Sequence, residues 1–110
     1  MSIEVPLDRL FDEIEGWGFG YLVTVSEDDR SHLLALRPLV LGDDEGRRLR
    51  FDAGGGRACR NVVVHPNVSM VFPPTAASEG YSLVVDGEAT VVDRHVDVRP
   101  TWAVLHRPAP

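Results

Sequence analysis

A glycine-rich segment between a strand-like stretch and a helix-like stretch constrains this chain more than any other feature. Residues 49–52 form the end of a strand, three glycines at 54–56 follow, and a short apolar run then reaches Pro66, which a helix does not pass. Free amides at a helix N-terminus, approached through glycines and joined by Arg57 and Arg60, form a place for an anion. Taken alone, the glycines favour a flexible turn with solvated arginines, so the rest of the chain must decide.

Length and composition limit the class of protein. The chain has 110 residues, which is the size of one domain with a modest core, so we predict a single domain over residues 1–110. Hydrophobic residues at 44% and charged residues at 25% are ordinary for a soluble globular protein. No run approaches the ~18 apolar residues of a transmembrane helix, and the acidic N-terminus is unlike a signal peptide. We therefore expect a cytoplasmic protein without a membrane partner.

The charged and metal-binding residues narrow the choice of partner. A net charge of −6 argues against nucleic acid, because binding the phosphate backbone needs a basic face. The single cysteine, Cys59, allows no disulfide within the chain, and the four histidines lack the spacing of metal ligands. The eleven basic residues are all arginines, so no lysine is available for a Schiff base or a Walker-type phosphate loop. These features favour a small-molecule partner and no metal.

The arginines are unevenly distributed along the chain. Between Arg47 and Arg60 there are five arginines and one acidic residue, Asp52. Such a local excess in an acidic protein suits a small anionic ligand better than a polymer. Arg48 and Arg50 alternate with apolar residues, so we predict that these two form the solvated face of a strand.

Two helices and about six strands are predicted. Apolar residues at helical spacing predict a helix over residues 7–17, and a second helix follows the glycines at residues 57–64. Residues 42–46 form a hairpin turn, and Pro38 and Gly87 each indicate a bend or bulge within a strand. The predicted strands cover residues 19–26, 32–41, 48–53, 68–72 and 81–92 (the longest), with residues 102–105 as either a short strand or an interface arm. This pattern describes a mainly β protein, an antiparallel barrel with flanking helices.

Several segments, taken in order, resemble the pyridoxamine 5′-phosphate oxidase-like family. Phe51-Asp-Ala-Gly-Gly-Gly-Arg-Ala-Cys-Arg-Asn61, followed by His65-Pro-Asn-Val-Ser69 and Phe72-Pro73, is similar to the flavin-binding segment of these proteins. Tyr81-Ser-Leu-Val-Val-Asp-Gly-Glu-Ala89 resembles the family strand that carries Val-x-Gly-x-Ala, and Phe19–Val25 with Ser31-His32 matches the first hairpin. The resemblance covers about residues 19–92.

The resemblance implies a split β-barrel, usually a homodimer, with flavin mononucleotide (FMN) in a cleft between the subunits. Arg57 falls where the family places a basic residue that binds the phosphate. Gly56 falls where relatives often have Ser or Thr, and Ala58 falls where the oxidases have a second basic residue. Arg60 lies three residues beyond Arg57, on the same predicted helix face as Asn61, and could compensate.

The resemblance also implies cofactor contacts outside the helix. Its other candidate binding residues are Arg37, Pro38, Leu39, Asp52, Ala53 and Ser82. Arg37 to Leu39 match the strand that lines the isoalloxazine ring, and Arg37 is either a ring contact or a surface arginine. Asp52 and Ala53 would line the phosphate pocket through their backbone, and Ser82 falls where the oxidases often use Gln.

These expectations lead to three functional hypotheses. The first is a small FMN-binding oxidoreductase-like protein that transfers hydride to or from a small substrate, the cofactor supplying the chemistry. The second is a family member that binds a deazaflavin coenzyme or haem instead. The third is a barrel that lost or repurposed its site, as the residues at Gly56, Ala58 and Ser82 suggest. Authentic pyridoxamine phosphate oxidase activity is not expected, because the residues up to Pro110 do not match that enzyme's C-terminal extension.

Overall fold

Eight strands and two helices occupy residues 1–42 and 46–109, the part of the chain that the computed structural model describes. The helices are α1 (Leu7–Glu15) and α2 (Arg57–Val64). The strands are β1 (Ser2–Glu4), β2 (Gly20–Val25), β3 (Ser31–Leu36), β4 (Leu39–Leu41), β5 (Arg48–Asp52), β6 (Asn67–Phe72), β7 (Ser82–Val92) and β8 (His95–His106). The turn predicted over residues 42–46 lies in part outside the described residues.

The strands form one antiparallel sheet that curls into a split barrel. Their order is β3-β2-β6-β7-β8-β5-β4, and β1 pairs with the far end of β8. The two ends of this order, β3 and β4, are consecutive in the chain and are joined only by Arg37 and Pro38. The prediction of a mainly β split barrel with flanking helices is therefore confirmed, with eight described strands instead of about six.

The strand predicted over residues 32–41 is wrong as a single element. β3 pairs with β2, whereas β4 pairs with β5 on the other side of the barrel. The break falls at Pro38, which has no N–H to give to a ladder. The predicted bend at Pro38 is confirmed, and it is the corner at which the chain leaves one side of the barrel for the other.

The longest strands, β7 and β8, form a hairpin with a bulge. The register shifts between Asp86 and Gly87, which confirms the bend predicted there. A Cβ on Gly87 would lie 2.6 Å from Val98 Cγ1 and 2.8 Å from the Arg99 carbonyl oxygen, so only glycine fits this close approach.

Four sequence-based predictions need correction. β8 has 12 residues and β7 has 11, so residues 81–92 are not the longest strand. The prediction recognised only residues 102–105 of β8, because polar residues and Pro100 interrupt the apolar alternation before them. β1 was missed because all three of its residues are exposed. α1 ends at Glu15, before Trp17, because Gly16 takes the C-cap position.

The barrel interior and the two helices share one apolar core. Leu10 and Ile14 of α1 are buried, as are Ala58, Cys59 and Val62 of α2. The largest fully buried side chains include Phe51, Phe72, Leu22, Leu49, Met70, Leu83 and Val85. None of the described helices is both long and apolar enough to cross a bilayer.

Candidate functional site

The glycine-rich turn before α2 is held to the β7–β8 turn. Gly54 and Gly55 have φ angles of 64° and 73°, in the left-handed region that favours glycine. The Asp52 carboxylate accepts a hydrogen bond from the Gly54 N–H at 3.3 Å. The Gly55 N–H donates to the Arg94 carbonyl at 3.2 Å, and the Arg94 guanidinium donates to the Gly54 carbonyl. The glycine-rich turn is thus fixed both to the end of β5, through Asp52, and to the β7–β8 turn, through Arg94.

The helix that follows begins at Arg57, as predicted. Gly56 is its N-cap and offers no side-chain cap, so the first amides of α2 lack the usual hydroxyl or carboxylate partner. Ala58 is 1% exposed, which means that a basic side chain at this position would point into the core.

Arg60 and Asn61 do not share a face of α2, contrary to the prediction. Arg60 is exposed, whereas Asn61 is buried and its Nδ2 donates to Thr24 Oγ1 at 3.0 Å. The reason is that Asn61 belongs to the buried face of α2, together with Ala58, Cys59 and Val62. Its side-chain amide anchors the helix to β2. Asn61 therefore positions the helix.

Arg57 faces a cavity of about 510 Å³ between the start of α2 and the β2–β3 hairpin. We call it the hairpin cavity, and its lining residues are Ser26, Asp28, Arg30, Ser31, His32 and Arg57. Apart from Arg57, these residues were not predicted as site residues. They lie in a hairpin far from α2 in the sequence, and no local motif connects the two.

The hairpin cavity carries an excess of hydrogen-bond donors. Two guanidiniums, Arg30 and Arg57, face one carboxylate, Asp28, whose Oδ1 already accepts from Ser26 Oγ at 2.5 Å. Nδ1 of His32 is buried and has no hydrogen-bond partner among the described residues. Guanidiniums and hydroxyls bind oxyanions such as phosphate through charge-assisted hydrogen bonds, so the cavity is suited to an anion.

A second cavity, of about 250 Å³, lies at the corner between β3 and β4. We call it the corner cavity, and its lining residues are Ile14, Glu15, Trp17, Gly18, Arg37, Pro38, Leu39 and Val40. Its wall combines apolar residues with two of opposite charge, Arg37 and Glu15, and the Arg37 guanidinium lies beside Gly18. A partly apolar wall of this kind suits a flat, partly polar ring better than a phosphate.

Comparison with known proteins identifies relatives of this chain. No family model matches the sequence. The proteins Mb0449c of Mycobacterium bovis and MT0457 of Mycobacterium tuberculosis, both uncharacterised, are each 37% identical to it over 118 residues. Each alignment covers 96% of this chain and 82% of the relative.

Solved structures show the same fold at low sequence identity. The FAD binding protein of Mycobacterium smegmatis has a TM-score of 0.65 and 22% identity, over 97% of this chain and 100% of that one. A candidate pyridoxamine 5′-phosphate oxidase of Lactobacillus delbrueckii has a TM-score of 0.63 and 13% identity, over 91% and 93%. This chain belongs to one family with the two mycobacterial proteins, and it has the split-barrel fold of the pyridoxamine 5′-phosphate oxidase-like structures.

Two further structures of this fold are those of a haem storage protein and an F420 reductase. HutZ, the haem storage protein of Vibrio cholerae, has a TM-score of 0.62 and 15% identity, over 91% of this chain and 94% of that one. An F420 reductase has a TM-score of 0.59 and 20% identity, over 77% and 87%. This chain thus shares its fold with an FAD binding protein, an F420 reductase and a haem storage protein.

The candidate binding residues of this family member do not come together within one chain. Arg57 lies at the hairpin cavity, whereas Arg37 to Leu39 lie at the corner cavity, beyond the other end of β3. Six residues of strand separate the two positions, roughly 20 Å. Ser82 lies opposite His106 at the start of β7. Asp52 and Ala53 belong to the glycine-rich turn and line neither cavity.

A second group of arginines in this family member has a different environment. Asp97 is only 5% exposed, and it accepts from Arg48 Nε at 2.9 Å and from Arg50 Nε at 2.7 Å. The hydrogen bond from Arg50 holds the pKa of Asp97 below its ordinary value, although burial acts to raise it. The same bond raises the pKa of Arg50. We call these three residues the Asp97 cluster.

The Asp97 cluster corrects the prediction that Arg48 and Arg50 form a solvated strand face. Their side chains are 39% and 23% exposed, and both are engaged with a buried carboxylate. The prediction missed the pairing because Asp97 lies in the part of β8 that sequence patterns did not indicate as a strand. Among the described residues, no group of three or more metal-ligating side chains is present.

The outer face of β2, β3, β6 and β7 carries an apolar patch, which Ser69 and Asp86 border. Tyr21 and Val23 of β2 lie beside Leu33 and Val71 on the neighbouring strands, and Val84 of β7 continues the patch beside Val71. Leu33 is 58% exposed. We call these five residues the apolar outer face. Contiguous apolar surface of this kind marks interaction sites on proteins.

Proposed function

We propose that this protein is a small flavin-binding oxidoreductase-like protein that holds FMN with its phosphate at Arg57. The observation that supports this most strongly is the hairpin cavity, in which Arg57 and Arg30 converge from separate elements. No ion pair among the described residues involves either guanidinium, so both can bind a phosphate dianion.

A homodimer would complete the site. Within one chain, the hairpin cavity and the corner cavity lie at opposite ends of β3. The proposed site for the phosphate and the proposed site for the flavin ring of one subunit are therefore too far apart to serve the same FMN molecule. The apolar outer face gives a second subunit a surface on which to pack. We therefore propose that the corner cavity of the partner supplies the wall for the flavin ring.

The chain's own residues would bind and orient the cofactor. Bound flavin supplies hydride transfer to or from a small substrate. Arg57 neutralises the phosphate, and the tied glycine-rich turn keeps its helix in place. Arg37 puts a positive charge beside the ring, where it would stabilise the negative charge of the reduced cofactor. Trp17 and Ile14 of the corner cavity would exclude water from one side of the flavin ring.

The absorption spectrum of the purified protein tests the flavin proposal. We expect a yellow protein that releases FMN on denaturation, or colourless protein whose intrinsic fluorescence is quenched when FMN is added. Protein that is colourless and gives no response to FMN or FAD would contradict the proposal.

A deazaflavin coenzyme or haem is the second candidate, because structures of this fold include an F420 reductase and a haem storage protein. The concentration of arginines at the hairpin cavity would also suit the anionic groups of a deazaflavin coenzyme. Parallel titrations with FMN, a deazaflavin and haem, followed by absorption, separate the candidates. A haem complex would lose its spectrum when its axial histidine is substituted, so His32, His65, His95 and His106 are tested one at a time.

The third candidate is a non-catalytic protein that has the barrel fold but has lost or repurposed the flavin site. Gly56 gives no side-chain cap, and the burial of Ala58 leaves no room for a second basic residue at that position. Both features weaken the phosphate site at α2. Tight flavin binding with no turnover by nicotinamide reductants would favour a carrier or sensor over an enzyme.

A further inference from the structure

The hairpin cavity is larger than one phosphate group requires. Its volume of about 510 Å³ falls in the range of small-molecule pockets, roughly 300–1,000 Å³. A water molecule occupies only about 30 Å³ of liquid, and a phosphate group has five heavy atoms. A single phosphate at Arg57 would therefore leave most of the cavity unfilled, on the side formed by the β2–β3 hairpin.

The side of the cavity away from Arg57 carries its own cation. The backbone of Arg30 forms the hairpin turn, because its N–H donates to Ser26 Oγ at 3.1 Å and its carbonyl accepts from the Ser26 N–H at 2.9 Å. Among the described residues, the Arg30 side chain makes no hydrogen bond or ion pair. Its guanidinium is thus free to bind a ligand, and the turn does not depend on it.

His32 lies on β3 opposite Thr24, which is uncharged and bonded to Asn61. Its Nδ1 is closed to solvent, so the cavity's open charged donors are those of the two arginines. Asp28 is the one carboxylate that lines the cavity, and its bond to Ser26 Oγ draws one of its oxygens toward the turn.

We propose that the hairpin cavity is a diphosphate subsite, in which Arg57 and Arg30 each bind one of two linked phosphates. The inference rests on the proposed function and extends it from FMN to cofactors with a second linked phosphate, such as a flavin dinucleotide. FMN would fill only the half of the subsite at Arg57.

Calorimetric titration of the full chain with inorganic pyrophosphate and with orthophosphate tests this subsite without a flavin. We expect pyrophosphate to bind roughly tenfold more tightly, since one more charged hydrogen-bonded contact is worth about 1.5 kcal/mol or more. Arg30→Ala should remove that preference and leave orthophosphate binding within about threefold of wild type. Arg57→Ala should weaken both ligands by roughly tenfold. Arg9→Ala, an exposed arginine of α1, is the matched control and should change neither.

Equal affinity of the wild-type protein for the two anions, or unchanged pyrophosphate binding in Arg30→Ala, would overturn the subsite. The flavin titration separates this result from the proposed function. If the protein prefers pyrophosphate through Arg30 but binds no flavin, the diphosphate subsite is supported and the proposal of flavin binding is overturned. Protein that binds FMN and has no preference for pyrophosphate overturns the subsite alone.

Discussion

Two clusters of arginines in this protein have the same chemistry and opposite environments. In the Asp97 cluster, Arg48 and Arg50 share one buried carboxylate on the outside of β5 and β8. At the hairpin cavity, Arg30 and Arg57 face open space with no ion pair among the described residues. The first pair serves the fold, and the second pair is available for a ligand.

The two arginine clusters differ in whether a neighbouring element places a carboxylate opposite the guanidiniums. Antiparallel pairing aligns Arg50 with Asp97, and the sheet holds both against the barrel. The hairpin cavity lies between a helix and a hairpin, which share no β ladder, so no strand register fixes a partner for Arg57. A local excess of arginines in a sequence therefore does not indicate by itself which members bind an anion.

The largest effect on stability is expected from Asp97→Ala. The substitution removes a buried carboxylate that accepts charged hydrogen bonds from two arginines, so we expect a loss of about 2 kcal/mol in the free energy of unfolding. Urea unfolding followed by fluorescence measures it. Glu88→Ala, which breaks the exposed pair with Arg99, is the matched control and should cost less than about 0.5 kcal/mol. Equal losses in the two variants would contradict a structural role specific to the Asp97 cluster.

The Asp97 cluster should also shape the response to acid. The folded pKa of Asp97 is lowered from its ordinary value of 3.8, so below that value the unfolded chain takes up the proton first. Its contribution to stability is therefore complete above about pH 4 and is lost as pH falls through the folded pKa. Unfolding at a series of pH values should show a steeper decline for wild type than for Asp97→Asn. Parallel declines would show that Asp97 is not the group responsible.

A small effect is expected from Arg60→Ala. Arg60 is exposed and does not line the hairpin cavity, so its loss should change the dissociation constant of FMN by less than about threefold. Fluorescence titration measures this. A loss of tenfold or more would move the phosphate site along α2, away from the hairpin cavity, and would favour the compensating role that the sequence suggested.

Much of the fold follows from local patterns in the sequence. The bounds of α2, the bend at Pro38 and the bulge at Gly87 each depend on residues with one dominant backbone effect. β1 and the first half of β8 could not be predicted in the same way. Their residues are exposed or polar, and only pairing with distant strands makes them β structure.

The candidate site was less predictable than the fold. Arg57 is a recognisable position because glycines and a helix start surround it. Arg30 and His32 lie in an ordinary hairpin, and only tertiary packing brings them to Arg57. The burial of Asn61 was also hidden, since its partner Thr24 is 37 residues away in the chain.

The most direct test of the central claim compares Arg57→Ala with Arg48→Ala in FMN binding. Both variants remove one guanidinium, but only Arg57 lines the hairpin cavity, while Arg48 belongs to the Asp97 cluster. We expect the dissociation constant of FMN to rise roughly 10- to 100-fold in Arg57→Ala and to stay within about twofold of wild type in Arg48→Ala. Equal affinities in both variants, or a larger loss in Arg48→Ala, would contradict the assignment of the anion site to the hairpin cavity.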